Sequence, residues 1–204
     1  MKLLLTSKGL NTKTIQTEFK KLLTKPINTI KTQIFYLDPK IPNFDIESYL
    51  NEDIQQLIKL GASLENIRLD NLLENPPHSL DGIDVVIMLG GNAFQYMNQL
   101  RILGLESKIK EFIKNGGIYI GRSAGAIIMG PDIDGVFFDS VNNIGLEDLS
   151  GLGYVDFHIV VHWDSKTGER LTGFIKHAWE KGKRIIPLTD QQAILVRGND
   201  FKII

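Results

Sequence analysis

The run Gly117-Ile-Tyr-Ile-Gly-Arg-Ser-Ala-Gly-Ala-Ile-Ile-Met-Gly130 restricts this chain more than any other stretch. Ile118 to Ile120 form a short apolar strand, and small helix-forming residues follow Ser123 at once. Gly121-Arg122-Ser123-Ala124-Gly125 has the form G-x-S-x-G, in which a serine sits on a sharp strand-to-helix turn with its hydroxyl exposed. Such a turn leaves no room for side chains two positions to either side, and glycine tolerates the backbone angles it needs. The N–H of Ala124 would point at the same space as the serine oxygen, as the start of an anion site at a helix N-terminus. Five residues alone fit an ordinary βα turn equally well.

The rest of the chain supplies the context. Leu3 to Leu5 reads as a buried strand, and Ile15, Phe19, Leu22 and Leu23 fall at helical spacing before Pro26. Gln33–Leu37 is a second strand. The apolar set between Ile46 and Leu60 makes an amphipathic helix stopped by Gly61. A short strand at Asn66–Leu69 and a loop at Asn75–His78 lead to Asp84–Leu89, the most hydrophobic strand. Helices follow at Ala93–Leu103 and Glu106–Lys114. Strands that alternate with helices and are apolar on both faces imply a parallel sheet covered on each side, here in one domain over residues 1–204. Beyond the elbow, Asp132–Asn143 reads as an irregular segment or hairpin. Val155–His162 reads as a strand, and Leu171, Phe174, Ile175, Ala178 and Trp179 as a helical apolar face. Strands at Arg184–Leu188, Ala193–Val196 and Phe201–Ile204 close the chain, the last two as an edge hairpin.

Composition removes several classes of function. With no cysteine there is no disulfide, thiolate metal site or cysteine nucleophile. A net charge of -1 supplies no basic field for nucleic acid or an anionic membrane. The apolar run Leu3–Leu5 is too short for a signal-peptide core, and no stretch approaches the ~20 apolar residues of a membrane helix. The expectation is a cytoplasmic protein without nucleic-acid or membrane partners, a monomer or weak homodimer.

A serine hydroxyl becomes a useful nucleophile when a base takes its proton and an acid orients that base. His78 lies in a proline-rich loop and His177 on the polar side of a helix, both places for inert histidines. His158 and His162 share the Val155–His162 strand, four residues apart and on one face. His162 ends that strand, where ligands bind in parallel α/β sheets, whereas His158 lies deeper, as a hydrogen-bonded core residue. The pattern favours His162 as base. For the acid, Asp132, Asp134, Asp139 and Asp156 precede His162 and Asp190 follows the next strand, and spacing leaves the choice open. Gly90-Gly91-Asn92, after the central strand, could bring a second backbone N–H to an oxyanion.

Together these residues resemble the peptidase E family, α-aspartyl dipeptidase and its relatives, whose fold is similar to that of class I glutamine amidotransferases with serine replacing cysteine at the elbow. Gly90-Gly91-Asn92-Ala93-Phe94-Gln95 looks like the family's Gly-Asn-x-Phe-Gln segment, Gly116 to Ala126 like its elbow, and Ile159-Val160-Val161-His162-Trp163 like the strand end carrying its histidine. The resemblance implies an α/β three-layer sandwich, flavodoxin-like, with a mostly parallel central sheet. It implies a serine peptidase acting on short peptides, those with N-terminal aspartate included. Ser123 is then the nucleophile, His162 the base and Asp190 the acid, where the best-known member has glutamate. Gly91 and Ala124 supply the oxyanion hole, and Asn92, Arg122, Asp132, Asp134 and Trp163 are candidates for substrate contacts. No metal and no cofactor are expected. Two rivals remain: an esterase or amidase in the order Ser, Asp, His, with Asp132 or Asp134 as acid, and a non-catalytic ligand-binding protein on the same scaffold.

Overall fold

Each central strand divides its side chains between two faces, and that alternation builds the layers. In the first strand, β1 (Lys2–Thr6), Leu3 and Leu5 enter one apolar cluster while Leu4 enters the other. The computed structural model describes residues 1–38, 45–74, 79–136 and 140–204, and His78 and Asp139 lie outside them. In β4 (Val85–Met88), Val86 and Met88 join the Leu3 cluster, and Val85 and Ile87 join the Leu4 cluster. The elbow strand β5 (Ile118–Arg122) splits in the same way, Tyr119 against Ile118 and Ile120. Side chains alternating on a strand with both faces apolar require cover on both sides.

Helices supply that cover. α1 (Lys13–Leu22) brings Ile15, Phe19 and Leu22, and α2 (Ile46–Leu60) brings Leu50, Leu57 and Leu60, onto the Leu4 face. α3 (Ala93–Ile102) and α4 (Leu105–Lys114) pack Met97, Leu100, Ile109 and Phe112 onto the other. The boundaries follow from capping. The Thr12 hydroxyl accepts from Ile15 N–H, the Asp45 carboxylate accepts from Ser48 N–H, and Gly61 ends α2 at φ 108°.

Among the described residues the main sheet has seven strands in the order β3-β2-β4-β5-β1-β8-β9, with β2 at Thr32–Tyr36, β3 at Ile67–Asn71, β8 at Ala193–Arg197 and β9 at Asp200–Ile203. β3, β2, β4, β5 and β1 run parallel, and the β8–β9 hairpin adds antiparallel strands on the β1 side. Met88 pairs with Gly121 and Thr6 with Arg122, so β4, β5 and β1 reach their carboxyl ends side by side. That register delivers Gly90-Gly91, Ser123 and Ser7 to one edge.

The region after the elbow differs from its sequence reading. The helix after Ser123, α5 (Ala124–Ile127), is a single turn, too short for a substantial helix dipole, so what it offers an anion is local N–H groups. The strand expected over 155–162 is cut to β6 (His158–Val160), which pairs with β7 (Ile185–Pro187) in a separate two-stranded parallel sheet. Residues 152–155 are drawn off to the elbow turn instead. Leu152 N–H donates to the carbonyl of Ile128 at 2.7 Å, and Tyr154 N–H to that of Met129 at 2.9 Å. α6 (Gly168–Glu180) buries Phe174 and Ala178, while Trp179 is 86% exposed and Ile175 50% exposed, so the expected apolar face is narrower than its spacing suggested.

Candidate active site

Ser123 is held in a conformation that few side-chain-bearing residues adopt, φ 51° and ψ −112°. Strain of this kind costs about 1–3 kcal/mol and persists where the surroundings over-determine it. The surroundings here are tight. A Cβ on Gly121 would collide with the carbonyl of Gly125, and a Cβ on Gly125 with the carbonyl of Met88. Ser123 N–H donates to the Thr6 carbonyl at 3.0 Å, fastening the turn to β1.

Ser123 Oγ lies 3.1 Å from His162 Nε2, and His162 Nδ1 lies 2.5 Å from Asp190 Oδ1. The three side chains come from different places: the end of β5, the loop after β6 and the loop after β7. His162 takes the left-handed conformation, φ 54°, and its neighbour Trp163 donates N–H to the Leu188 carbonyl at 3.0 Å. His162 therefore lies beyond its strand, and the alternation that would have put it on the face of His158 does not apply. Desolvation pushes the Asp190 carboxyl up, but hydrogen bonds from Ser7 and His162 outweigh it and hold the group below its ordinary value.

A cavity of about 260 Å³ opens over the serine, lined by Gly91, Ser123, Ala124, Ser140, His162, Ser165, Lys166 and Arg170 among others. Gly91 has φ 153°, and a Cβ there would press within 3.2 Å of the Tyr96 ring. Lys166 is buried, with its ammonium 4.8 Å from the centre of the Phe174 ring. A larger depression, about 430 Å³, opens at the opposite edge beside Ser79, Asp81, Lys108 and Glu111, away from these side chains.

The family model of peptidase family S51 matches residues 3–204. The chain belongs to peptidase family S51. It is a serine peptidase on that membership. An uncharacterised peptidase of Pasteurella multocida is 29% identical over 163 residues, 78% of each chain. One from Listeria monocytogenes is 31% identical over 159 residues, 76% of this chain and 78% of that protein. Peptidase E of Shigella flexneri is 34% identical over 87 residues, 43% of this chain and 37% of its own. In three dimensions the fold is similar to a crystal structure of a candidate peptidase E protein from Listeria monocytogenes, with TM-score 0.78 and 22% identity over 100% of this chain and 97% of that one. The shared fold is the α/β arrangement, with a mostly parallel central sheet, that the resemblance implied.

The S51 chain gives the other candidate residues different surroundings from those expected. Asn92 caps α3. Its Oδ1 accepts from Phe94 and Gln95 N–H, and its Nδ2 donates to the Val141 carbonyl at 2.8 Å, so its polar atoms are engaged within the chain. Arg122 turns away from the cavity into the layer of α2. There it pairs with Asp53 and, at 3.2 Å, with Glu52, and its guanidinium stacks 4.7 Å above the Tyr49 ring. Burial pushes the Asp53 carboxyl up to about 6 against the pull of Arg122. Trp163 is not among the residues lining the cavity.

Asp132 and Asp134 belong to a second polar cluster. Lys183 Nζ lies 2.5 Å from Asp132 Oδ1 and 3.1 Å from Asp134 Oδ2, with His158 on the first carboxylate at 3.0 Å and His177 on the second at 3.1 Å. Desolvation raises both carboxyls, but Lys183 and the histidines outweigh it and hold them below their ordinary values. His158 and His177 thus each lie against a carboxylate of this cluster, and neither aspartate contacts His162. Among the described residues no group of three or more metal-ligating side chains is placed to hold a metal ion, and no helix is long and apolar enough to cross a membrane. Ser7 escaped the sequence reading, as did Lys166 and Arg170. The signal for Ser7 was its position one residue beyond β1, at the edge that carries the elbow.

Proposed function

We propose that this S51 chain hydrolyses short acidic peptides through an acyl-enzyme on Ser123. Ser123 Oγ attacks the scissile carbonyl while His162 Nε2 accepts its proton, and the same nitrogen later returns a proton to the leaving amine. Asp190 holds the imidazole in the tautomer with Nδ1 protonated and stabilises the imidazolium that forms. The N–H groups of Gly91 and Ala124, both lining the cavity, receive the negative charge on the tetrahedral oxygen, and water then releases the acid.

The observation that carries this reading is the continuous line from Ser123 Oγ through His162, 3.1 Å and 2.5 Å, to Asp190. Contacts of that length are within reach for proton transfer before substrate arrives. Preference for acidic peptides is supported by Lys166 and Arg170, two cations in the wall of the same cavity. An N-terminal aspartate would place its side-chain carboxylate where these groups attract it. The order Ser, Asp, His of an ordinary esterase has less support, because Asp132 and Asp134 are paired with Lys183, His158 and His177.

The test is hydrolysis of Asp-Leu and Ala-Leu dipeptides by the wild type and Ser123→Ala. The expected result is cleavage of the acidic dipeptide first, and loss of activity in the variant without loss of folding. Full activity in a folded Ser123→Ala protein would sink the assignment.

A further inference from the structure

Ser123 belongs to the main sheet, whereas His162 and Asp190 follow the strands of the small β6–β7 sheet. Among the described residues the two sheets share no strand pairing; Asp190 lies close to β8, whose Ala193 pairs with Thr6, but the loop that carries His162 needs a tie of another kind. Ser7 spans that gap. It directly follows Thr6, whose carbonyl accepts from Ser123 N–H at 3.0 Å. Its side chain is fully buried, and its hydroxyl meets three groups of the small-sheet loops. It donates to Asp190 Oδ1 at 2.8 Å, accepts from the backbone N–H of His162 at 2.8 Å, and lies 3.3 Å from His162 Nδ1.

Consecutive residues of β1's carboxyl end therefore grip both halves of the site, Thr6 through its carbonyl and Ser7 through its hydroxyl. The grip on His162 has a local purpose. The left-handed region is sterically strained for a residue with a side chain, and the acceptor offered by Ser7 to the His162 N–H favours the conformation that aims Nε2 at Ser123. The grip on Asp190 leaves Oδ1 shared between two donors, Ser7 and the imidazole. From this geometry we infer that Ser7 is a positioning residue for the Ser123–His162–Asp190 line: it locks the base, carried on the loop after β6, and the acid that orients it to the strand end beside the nucleophile. The inference rests on Ser123 being the nucleophile.

A positioning role and a merely space-filling one give different readouts. Without the Ser7 hydroxyl, Oδ1 serves the imidazole alone, which favours the imidazolium, so the acid limb of the kcat/KM profile moves to higher pH. The other charged groups near these side chains are Lys8 and Asp164 beside Asp190, and Lys166 and Arg170 in the cavity wall with His162. None is altered by the substitution. Loss of a hydrogen bond to a charged group corresponds to about tenfold in rate or more.

The experiment compares the full chain with Ser7→Ala and Ser7→Cys on the Asp-Leu dipeptide. Thermal melting, kcat, KM and the pH profile are measured for each. Expected are a roughly tenfold lower kcat in Ser7→Ala, a KM within about twofold of wild type, and an acid limb moved upward. Ser7→Cys, which keeps the shape and a weak S–H donor, should fall between and serves alone if the alanine variant does not fold. Wild-type kcat with an unmoved acid limb in a folded variant overturns the inference, and so does a lower melting temperature with an unmoved limb. Activity in Ser123→Ala overturns the underlying nucleophile assignment instead, so the two failures are distinguishable.

Discussion

Gly125→Ala tests how tightly the elbow is built. A Cβ at position 125 would meet the carbonyl oxygen, the carbonyl carbon and the Cβ of Met88, all well inside contact distance. Met88 is in β4, which is paired on both sides, with β2 and β5, so its backbone has little freedom to withdraw. Adding a methyl to such a site costs about 1–3 kcal/mol, and the absence of a flexible neighbour puts this case near the upper end. For a chain of this size that is a fall in melting temperature of roughly 6–12 °C. Activity should suffer more than stability. Met88 is followed within three residues by Gly91, so pushing it moves one proposed oxyanion donor relative to Ser123, and a displacement of about 1 Å can cost about 10²-fold. Gly198→Ala is the control. It also needs positive φ, 61°, but a Cβ there meets nothing within 4 Å. It should cost about 1–2 kcal/mol with kcat unchanged. Calorimetry and dipeptide hydrolysis on both variants decide the matter. A Gly125→Ala protein that melts within 2 °C of wild type and keeps its kcat would refute the steric reasoning.

Three further outcomes follow from the same geometry. Hydrolysis of Asp-Leu should slow as pH falls from about 8 to 5, because His162 must be neutral to accept the serine proton; a flat profile would contradict a histidine base. Arg170→Ala should raise KM for Asp-Leu by about tenfold while leaving Ala-Leu little changed, since a carboxylate loses a charged partner in the cavity wall; equal effects on both dipeptides would remove Arg170 from specificity. The folded value of Asp53, about 6, lies above its value of 3.8 in the unfolded chain, so its contribution to stability is present in full below about 4 and lost as pH rises through about 6. Melting of wild type against Asp53→Asn should therefore show the wild type gaining relative stability from pH 7 to pH 5; a constant difference would show that Arg122 holds Asp53 ionised throughout.

Local signals in the chain carried far. The elbow glycines were legible because only a missing Cβ fits where Gly121 and Gly125 approach neighbouring carbonyls. Two-sided apolar strands gave the parallel sheet, and Gly61 gave the end of α2. What stayed hidden depends on contacts between distant segments. Val155–His162 has the composition of one strand, but residues 152–155 are hydrogen-bonded to the turn after α5, and His162 adopts a left-handed conformation that no pattern announces. Asp132 and Asp134 were reasonable substrate candidates until Lys183, some fifty positions away, proved to lie between them. Arg122 sits beside the nucleophile in sequence, yet strand alternation sends its side chain into the opposite layer, toward Asp53. Ser7 had no motif at all. Its neighbours arrive from 155 and 183 positions away, so only the folded chain assembles them.

The central claim is that Ser123 is a nucleophile made reactive by His162 and Asp190. Intact-mass spectrometry after treatment with a fluorophosphonate, followed by peptide mapping, tests it most directly. The account predicts one adduct per chain, on Ser123, formed quickly at pH 8, slowly at pH 5, and at least about 10²-fold more slowly in His162→Ala. Labelling elsewhere with Ser123 untouched, or labelling of Ser123 at the wild-type rate in His162→Ala, would contradict it.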